Sequence, residues 1–172
     1  MRYLKFSLAV LLCTLISACR RPDIIRLQPT IEEPPASMVQ IGNVSQSSQL
    51  VRGFYDLQNN TWRWAAPRFS VALASPPAAS KNGAWLVLSF RIPDVSIDAL
   101  KSITVTGKVG DAALPPETFT ASGDHTYHHE VPAAAFRKET VLADFTVDKF
   151  LKPPGDGRDL ALVVTAIGLE AK

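Results

Sequence analysis

From Phe69 to Leu169 the chain alternates apolar and polar residues in short runs, each ended by glycine or proline. A period of two sends successive side chains to opposite faces, so each run reads as a strand with one buried face. Phe69, Val71 and Leu73 alternate with Ser70, Ala72 and Ala74; Leu86, Leu88, Phe90 and Ile92 alternate with Trp85, Val87, Ser89 and Arg91. Ile103 and Val105 do the same against Thr104 and Thr106, and further runs cover 118–121, 124–131, 141–147 and 160–169. The breaks are the loop at 75–83, Pro93-Asp94, Leu114-Pro115-Pro116, Ser122-Gly123-Asp124 and the segment 153–157. Short strands between such turns predict an all-β fold, a single antiparallel β-sandwich of jelly-roll-like form. Val95 to Lys101 and Ala133 to Lys138 suit single helical turns at its ends.

The N-terminus has another character. Arg2 and Lys5 precede an apolar run from Phe6 to Ile16, too short to span a bilayer but suited to a signal sequence. The run ends in Leu15-Ile16-Ser17-Ala18-Cys19, which resembles the lipobox of bacterial lipoproteins. That resemblance implies cleavage before Cys19, lipidation of its sulfur, and a mature N-terminus held in a lipid bilayer. Cys13 follows Leu11 and Leu12, both too large for such a cleavage site. Arg20 rather than Asp after the cysteine favours, by the same resemblance, the outer membrane over the inner.

Once Cys13 leaves and Cys19 carries lipid, neither of the two cysteines remains to form a disulfide in the domain. Loss of Arg2 and Lys5 also turns 18 basic against 16 acidic residues into an even balance. Arg20-Arg21 is placed for anionic headgroups, and no longer basic run gives a footprint for nucleic acid. Residues 20–48, punctuated by Pro22, Pro29, Pro34 and Pro35, read as a disordered tether, with Met38 to Ile41 able to add an edge. The expected organisation is a signal over 1–19, a tether over 20–48 and a β-sandwich over 49–172.

The stretch from Gly53 to Ala65 is the richest in side-chain chemistry. Gly53, Asn59 and Asn60 are turn formers. Thr61 to Ala65 then alternates, so Trp62 and Trp64 share one face and Arg63 takes the other. Two readings compete. In one, both indoles fill the core, as large aromatics usually do. In the other, an indole lies open as a platform for a sugar ring, with Tyr55, Asp56, Asn59, Asn60 and Arg63 supplying polar contacts.

Catalytic and metal chemistry find little footing. His125, His128 and His129 form the one histidine cluster, but His125 and His129 sit about 13 Å apart on a strand rising about 3.3 Å per residue, and His128 faces the other side. No nucleophile elbow, phosphate loop, paired-cysteine motif or zinc-protease helix is present. The acids Asp56, Asp94, Asp111, Glu117, Asp124, Glu130, Asp144 and Asp148 fall mostly at turns, where carboxylates cap backbone amides. No catalytic residue, metal or cofactor is expected, and a hydrolase ranks third among the functions considered.

Gly53, Phe54, Arg63 and Trp64, taken with Asp156, Arg158 and the aliphatic run Leu160 to Leu169, carry a further resemblance. Over nearly all of 50–170 the chain resembles β-sandwich accessory modules associated with membrane glycosyltransferases of bacterial surface-polysaccharide synthesis. Gln58 stands where those modules usually carry Glu. The resemblance implies a lipid-anchored envelope module, not an enzyme, that binds carbohydrate or serves the polysaccharide machinery. The alternative is a structural or protein-interaction lipoprotein with no small ligand, in which Asp156 and Arg158 merely staple the last loop.

The anchor is directly testable. Cys19→Ala is expected to leave an uncleaved precursor or to release the protein from membranes, because several acyl chains hold a protein where one binds only marginally. Partitioning of the unaltered protein into the aqueous phase of a detergent split would refute lipidation.

Overall fold

A computed structural model describes residues 34–172. The expected signal, Cys19 and residues 20–33 of the expected tether lie outside the described residues. Everything described is built on antiparallel pairing, as the alternation predicts. Ten strands run in the order β6-β5-β9-β3-β10-β4-β8, with β7 also on β5, β2 on β3 and β1 on β10. Here β1 is Met38–Gln40, β2 Leu50–Gln58, β3 Trp62–Ala74, β4 Ala84–Ile92, β5 Ile103–Val109 and β6 Ala112–Ala113. The others are β7 Glu117–Phe119, β8 Gly123–Val131, β9 Thr140–Val147 and β10 Leu162–Ala171. Helical turns at Asp94–Leu100 and Ala133–Ala135 stand where the sequence placed them; a third, Ala79–Asn82, occupies the 75–83 loop.

The sheet closes over itself because β3 serves two neighbours. Its first residues pair with β10, Trp64 opposite Val163, and from Arg68 onward it pairs with β9. One layer therefore holds β5, β9 and the end of β3; the other holds the start of β3 with β10, β4 and β8. Between them Phe69 stacks on Phe145 at 4.9 Å, while Phe54 meets Phe69 and Tyr127 meets Phe145 edge-on. Leu86, Leu88, Phe90 and Ile92 all point inward from β4, at 2 % exposure or less. Tyr127 crosses the core: its hydroxyl accepts from the Gly107 amide at 3.0 Å and donates to the Pro115 carbonyl at 2.7 Å. Burial pushes the Tyr127 phenol above its ordinary pKa, against the pull of the Gly107 amide, and the Glu117 charge pushes it further.

The corner in β3 has a visible cause. Arg52 pairs with Ser70 and Phe54 with Ala65, so Gly53 alone faces the arc 66–69. Pro67 lies in that arc, where a missing backbone N–H removes no ladder bond. Gly53 thus lies inside β2, opposite the extra residues that bulge β3, and is not the turn the sequence suggested. Its φ is +78°, and a Cβ there would lie 2.2 Å from the Arg68 carbonyl oxygen and 2.7 Å from the Phe69 Cα.

The domain also starts earlier than residue 49. Val39 and Ile41 are buried in the core, and β1 pairs with β10 through Val39 and Ile167. Gln49, 7 % exposed, clamps the entry: its amide nitrogen donates to the Ala36 and Ala72 carbonyls, and its oxygen accepts from the Ala36 amide. The boundary at 48 fails because a three-residue strand carries almost no periodic signal, while its partner lies far along the chain.

Gly155 shares Gly53's φ of +78°, but a Cβ there would meet nothing within 4 Å, which isolates the steric part of the corner. Gly155→Ala is expected to cost about 1–2 kcal/mol, the left-handed penalty alone. Gly53→Ala should exceed it by roughly 2 kcal/mol or more, since backbone must shift. Equal costs in denaturant unfolding would show that the corner does not depend on that close approach.

Candidate functional site

The β2–β3 hairpin closes on Asn59 and Asn60, both at positive φ (48° and 54°), with the Thr61 amide donating to the Gln58 carbonyl at 3.0 Å. Two left-handed residues in succession give the turn whose twist matches paired strands, and asparagine tolerates that conformation best after glycine. Both are exposed, so their amides form the tip of the domain.

Beyond the tip, register decides each side chain's face. Arg63 pairs with Leu57 and with buried Val164, so it points toward the inner side. Its Nη1 donates to the Tyr55 carbonyl at 3.0 Å and its Nη2 to the Ser47 hydroxyl at 3.4 Å, both neutral acceptors. Its Nε is buried and has no hydrogen-bond partner among the described residues. Arg63 therefore braces β2 from within and does not stand beside the indoles.

Trp62 and Trp64 take the outer face, as neighbours at 6.3 Å with rings 85° apart. Neither belongs to the core; both are half-buried. The row through Trp64 runs across the sheet to Val163, Arg91 and Asp124. Val163 is only 7 % exposed despite its outward direction, so the longer side chains around it roof it. On the other side of Trp64, β2 supplies both Tyr55 and Asp56 where β3 supplies one residue, a bulge that sets this pair against the indole. Asp56 is exposed.

Tyr55 is held by the segment joining β9 to β10. Its hydroxyl accepts from the Asp159 amide at 3.0 Å and donates to the Asp159 carbonyl at 3.2 Å. The Arg158 guanidinium lies 5.6 Å from the ring centroid and grips Asp156 through two bonds of 2.5 and 2.7 Å. Those bonds hold the Asp156 carboxyl below the usual carboxylate range and raise Arg158 in turn. Asp156 and Arg158 do staple the loop, and the staple ends on a residue of the candidate site.

The platform that results is a patch of surface, not a cleft. The two indoles, set edge to face, give it one ring face and one upright ring, Asp56 and the Arg158–Tyr55 stack flank one side, and the exposed Arg91–Asp124 pair (3.1 Å) flanks the other. The concavities of 350 and 470 Å³ lie at the opposite end, around 136–139. Of the residues picked from sequence, the fold gathers Tyr55, Asp56, Trp62 and Trp64, sets Asn59 and Asn60 at the tip, and turns Arg63 away. Sequence reasoning missed Arg91, Asp124 and Arg158 as members. Parity held the clue: Phe69, Val71 and Leu73 point inward, and the same odd count carried back through Pro67 puts Arg63 inside and both tryptophans outside.

The histidines of β8 lie elsewhere. His129 meets Glu117 at 3.2 Å and His125 packs against Phe119 and Phe90, closing the seam between β8 and β7, while His128 faces outward against Trp85. No group of three metal-binding side chains occurs among the described residues.

No protein-family profile matches the sequence, and no curated protein matches it. Among solved structures the chain is similar to one described as "CBM4 structure and function", with 13 % identity and a TM-score of 0.34 over 78 % of this chain and 85 % of that one.

The Tyr55 hydroxyl is the most economical place to test the flank. Tyr55→Phe keeps the ring under Arg158 but strips both backbone bonds at Asp159, so a loss of about 1–2 kcal/mol is expected. Amide exchange at Asp159 should quicken in step. Unchanged exchange there would mean the loop is held by other contacts.

Proposed function

We propose that this domain is a non-catalytic carbohydrate-binding module of a lipid-anchored envelope protein, and that it serves surface-polysaccharide handling at the outer membrane. The observation that carries the reading is the Trp62–Trp64 pair, half-exposed on the outer face of one layer. The axial side of a pyranose is apolar and packs well on an indole, while each hydroxyl must regain the hydrogen bonds it gives up to water. Around the indoles, Asp56 offers acceptors, the Asn59 and Asn60 amides offer donors and acceptors, and the exposed Arg91–Asp124 pair offers the positions its own ion pair leaves open. Several carboxylates that a hydrolase would need free are engaged, Asp124 by Arg91, Asp156 by Arg158, and Asp144 by Arg52 and Ser70. The chain enters the domain beside Ala74, at the end of β3 away from the Asn59–Asn60 tip. An attachment upstream of Pro34 is thus compatible with an open tip.

One observation favours the structural alternative. Val163 is nearly sealed on the outer face, so the indoles also shield the joint between β3 and β10. The two readings separate on single substitutions. A shallow, wet platform of this size is expected to bind with a Kd on the order of 10 µM to 1 mM, or about 4–7 kcal/mol. Titration with chitin oligomers, cello-oligomers and envelope polysaccharide, followed by tryptophan fluorescence and heat, is expected to give such binding for at least one glycan. Trp62→Ala should abolish most of it with the circular dichroism spectrum unchanged. No signal up to millimolar glycan, or unfolding of both single tryptophan variants, would leave the structural reading standing.

A further inference from the structure

All three tryptophans of the chain lie on outward-facing positions of the same layer, and the third has a chemistry of its own. Trp85 sits in a row between Glu170 of β10 and Glu130 of β8, an indole flanked by two carboxylates on paired strands. His128 stacks almost parallel on it, with centroids 4.8 Å apart and planes 16° apart. The ammonium group of Lys172 lies 5.2 Å from the Trp85 ring centroid and forms an ion pair with Glu130. The Lys172 side chain is only 24 % exposed, folded back onto the ring. A ring face beside carboxylates is what a cation over an indole needs: the quadrupole attracts the charge and the acids bind its N–H groups.

We propose that the Glu170–Trp85–Glu130 row is a subsite for an ammonium group, with Lys172 as its intramolecular occupant. Resting on the glycan reading above, the ligand of this face is then a polysaccharide that carries free amino groups. The charge on the face agrees. Asp56, Asp124, Asp156, Glu130 and Glu170 outnumber Arg91, Arg158 and Lys172, and both arginines are already engaged by carboxylates. An acidic polymer meets a face on which these carboxylates exceed the cations, whereas an amine exchanges with Lys172 for a partner of the same charge. Arg91 and Trp85 lie on one face of β4, six positions apart, or roughly 20 Å at about 3.3 Å per residue. A chain stacked on Trp62 and Trp64 thus reaches the ammonium subsite only as an oligomer, which makes the preference depend on length.

Two arms test the subsite and the platform separately. In the first, n-butylammonium is titrated into the protein and into Lys172→Ala while the Trp85 indole resonance is followed. Removal of the internal competitor is expected to strengthen the response about tenfold. In the second arm, glucosamine oligomers are compared with N-acetylglucosamine oligomers of equal length, at a pH where the amines are charged. The amine series is expected to bind about tenfold more tightly, and Trp85→Ala to erase that advantage while leaving the acetylated series unaffected. An indole in Lys172→Ala that ignores butylammonium, or an amine preference that survives Trp85→Ala, overturns the subsite. Failure of both sugar series with butylammonium still bound overturns the platform instead.

Discussion

The fold depends on one strand belonging to two layers. β3 can leave β10 and join β9 only if its backbone bends sharply between Ala65 and Arg68, and that bend lies against Gly53. Glycine there admits the Arg68 carbonyl and the Phe69 Cα to distances at which any Cβ would collide. Pro67 in the bend costs no ladder bond. From this corner the remainder follows: Phe69 arrives on Phe145, Phe54 closes on Phe69, and the first half of β3 continues outward to the tip. A core with no disulfide among its described residues is held by such contacts and by the buried polar clamps of Gln49 and Tyr127.

The same corner assigns the aromatic face. Once Phe69 points inward, the strand that precedes it must place Ala65 and Arg63 inward too, and the indoles have no place but outside. Arg63 is then a cation turned toward the interior side, where it bonds a backbone carbonyl and a hydroxyl and no carboxylate. Such a charge keeps part of its hydration only because it stands at the end of the sandwich, where the side chain stays partly exposed. The outer face gains what Arg63 does not provide from other elements, Arg91 on β4 and Arg158 on the β9–β10 loop.

Much of this was legible in the sequence, and the limits have physical reasons. Alternation from Phe69 to Leu169 marked the strands and the inward set Leu86, Leu88, Phe90 and Ile92, because period two survives any tertiary arrangement. It also paired Trp62 with Trp64 against Arg63. Alternation within 61–65 alone does not reveal which face is the core; only the count carried back from Phe69 does, and the preference of large aromatics for interiors pulled the other way. Gly53 reads as a turn former because positive φ serves turns and bulges alike. The three-residue β1 and the bulge that sets Tyr55 and Asp56 against Trp64 depend on partners far along the chain or across a register shift, which no local pattern encodes.

The two outer faces of the sandwich differ in a way that bears on what each can do. On the β5–β9 side, Thr104 bonds Thr118, Thr106 opposes Thr146, and Arg52, Ser70 and Asp144 form a closed network. These groups satisfy one another and water, and of the large apolar side chains on β9 only Leu142, 38 % exposed, opens onto that surface. On the β10–β4 side, half-buried indoles stand beside Val87, Met38 and Val163, and their polar neighbours sit at the margins. Covering apolar surface is where net binding energy comes from, about 25 cal/mol for each Å² removed from water, while marginal polar groups select the partner. The apolar part of the outer surface is thus concentrated on one layer.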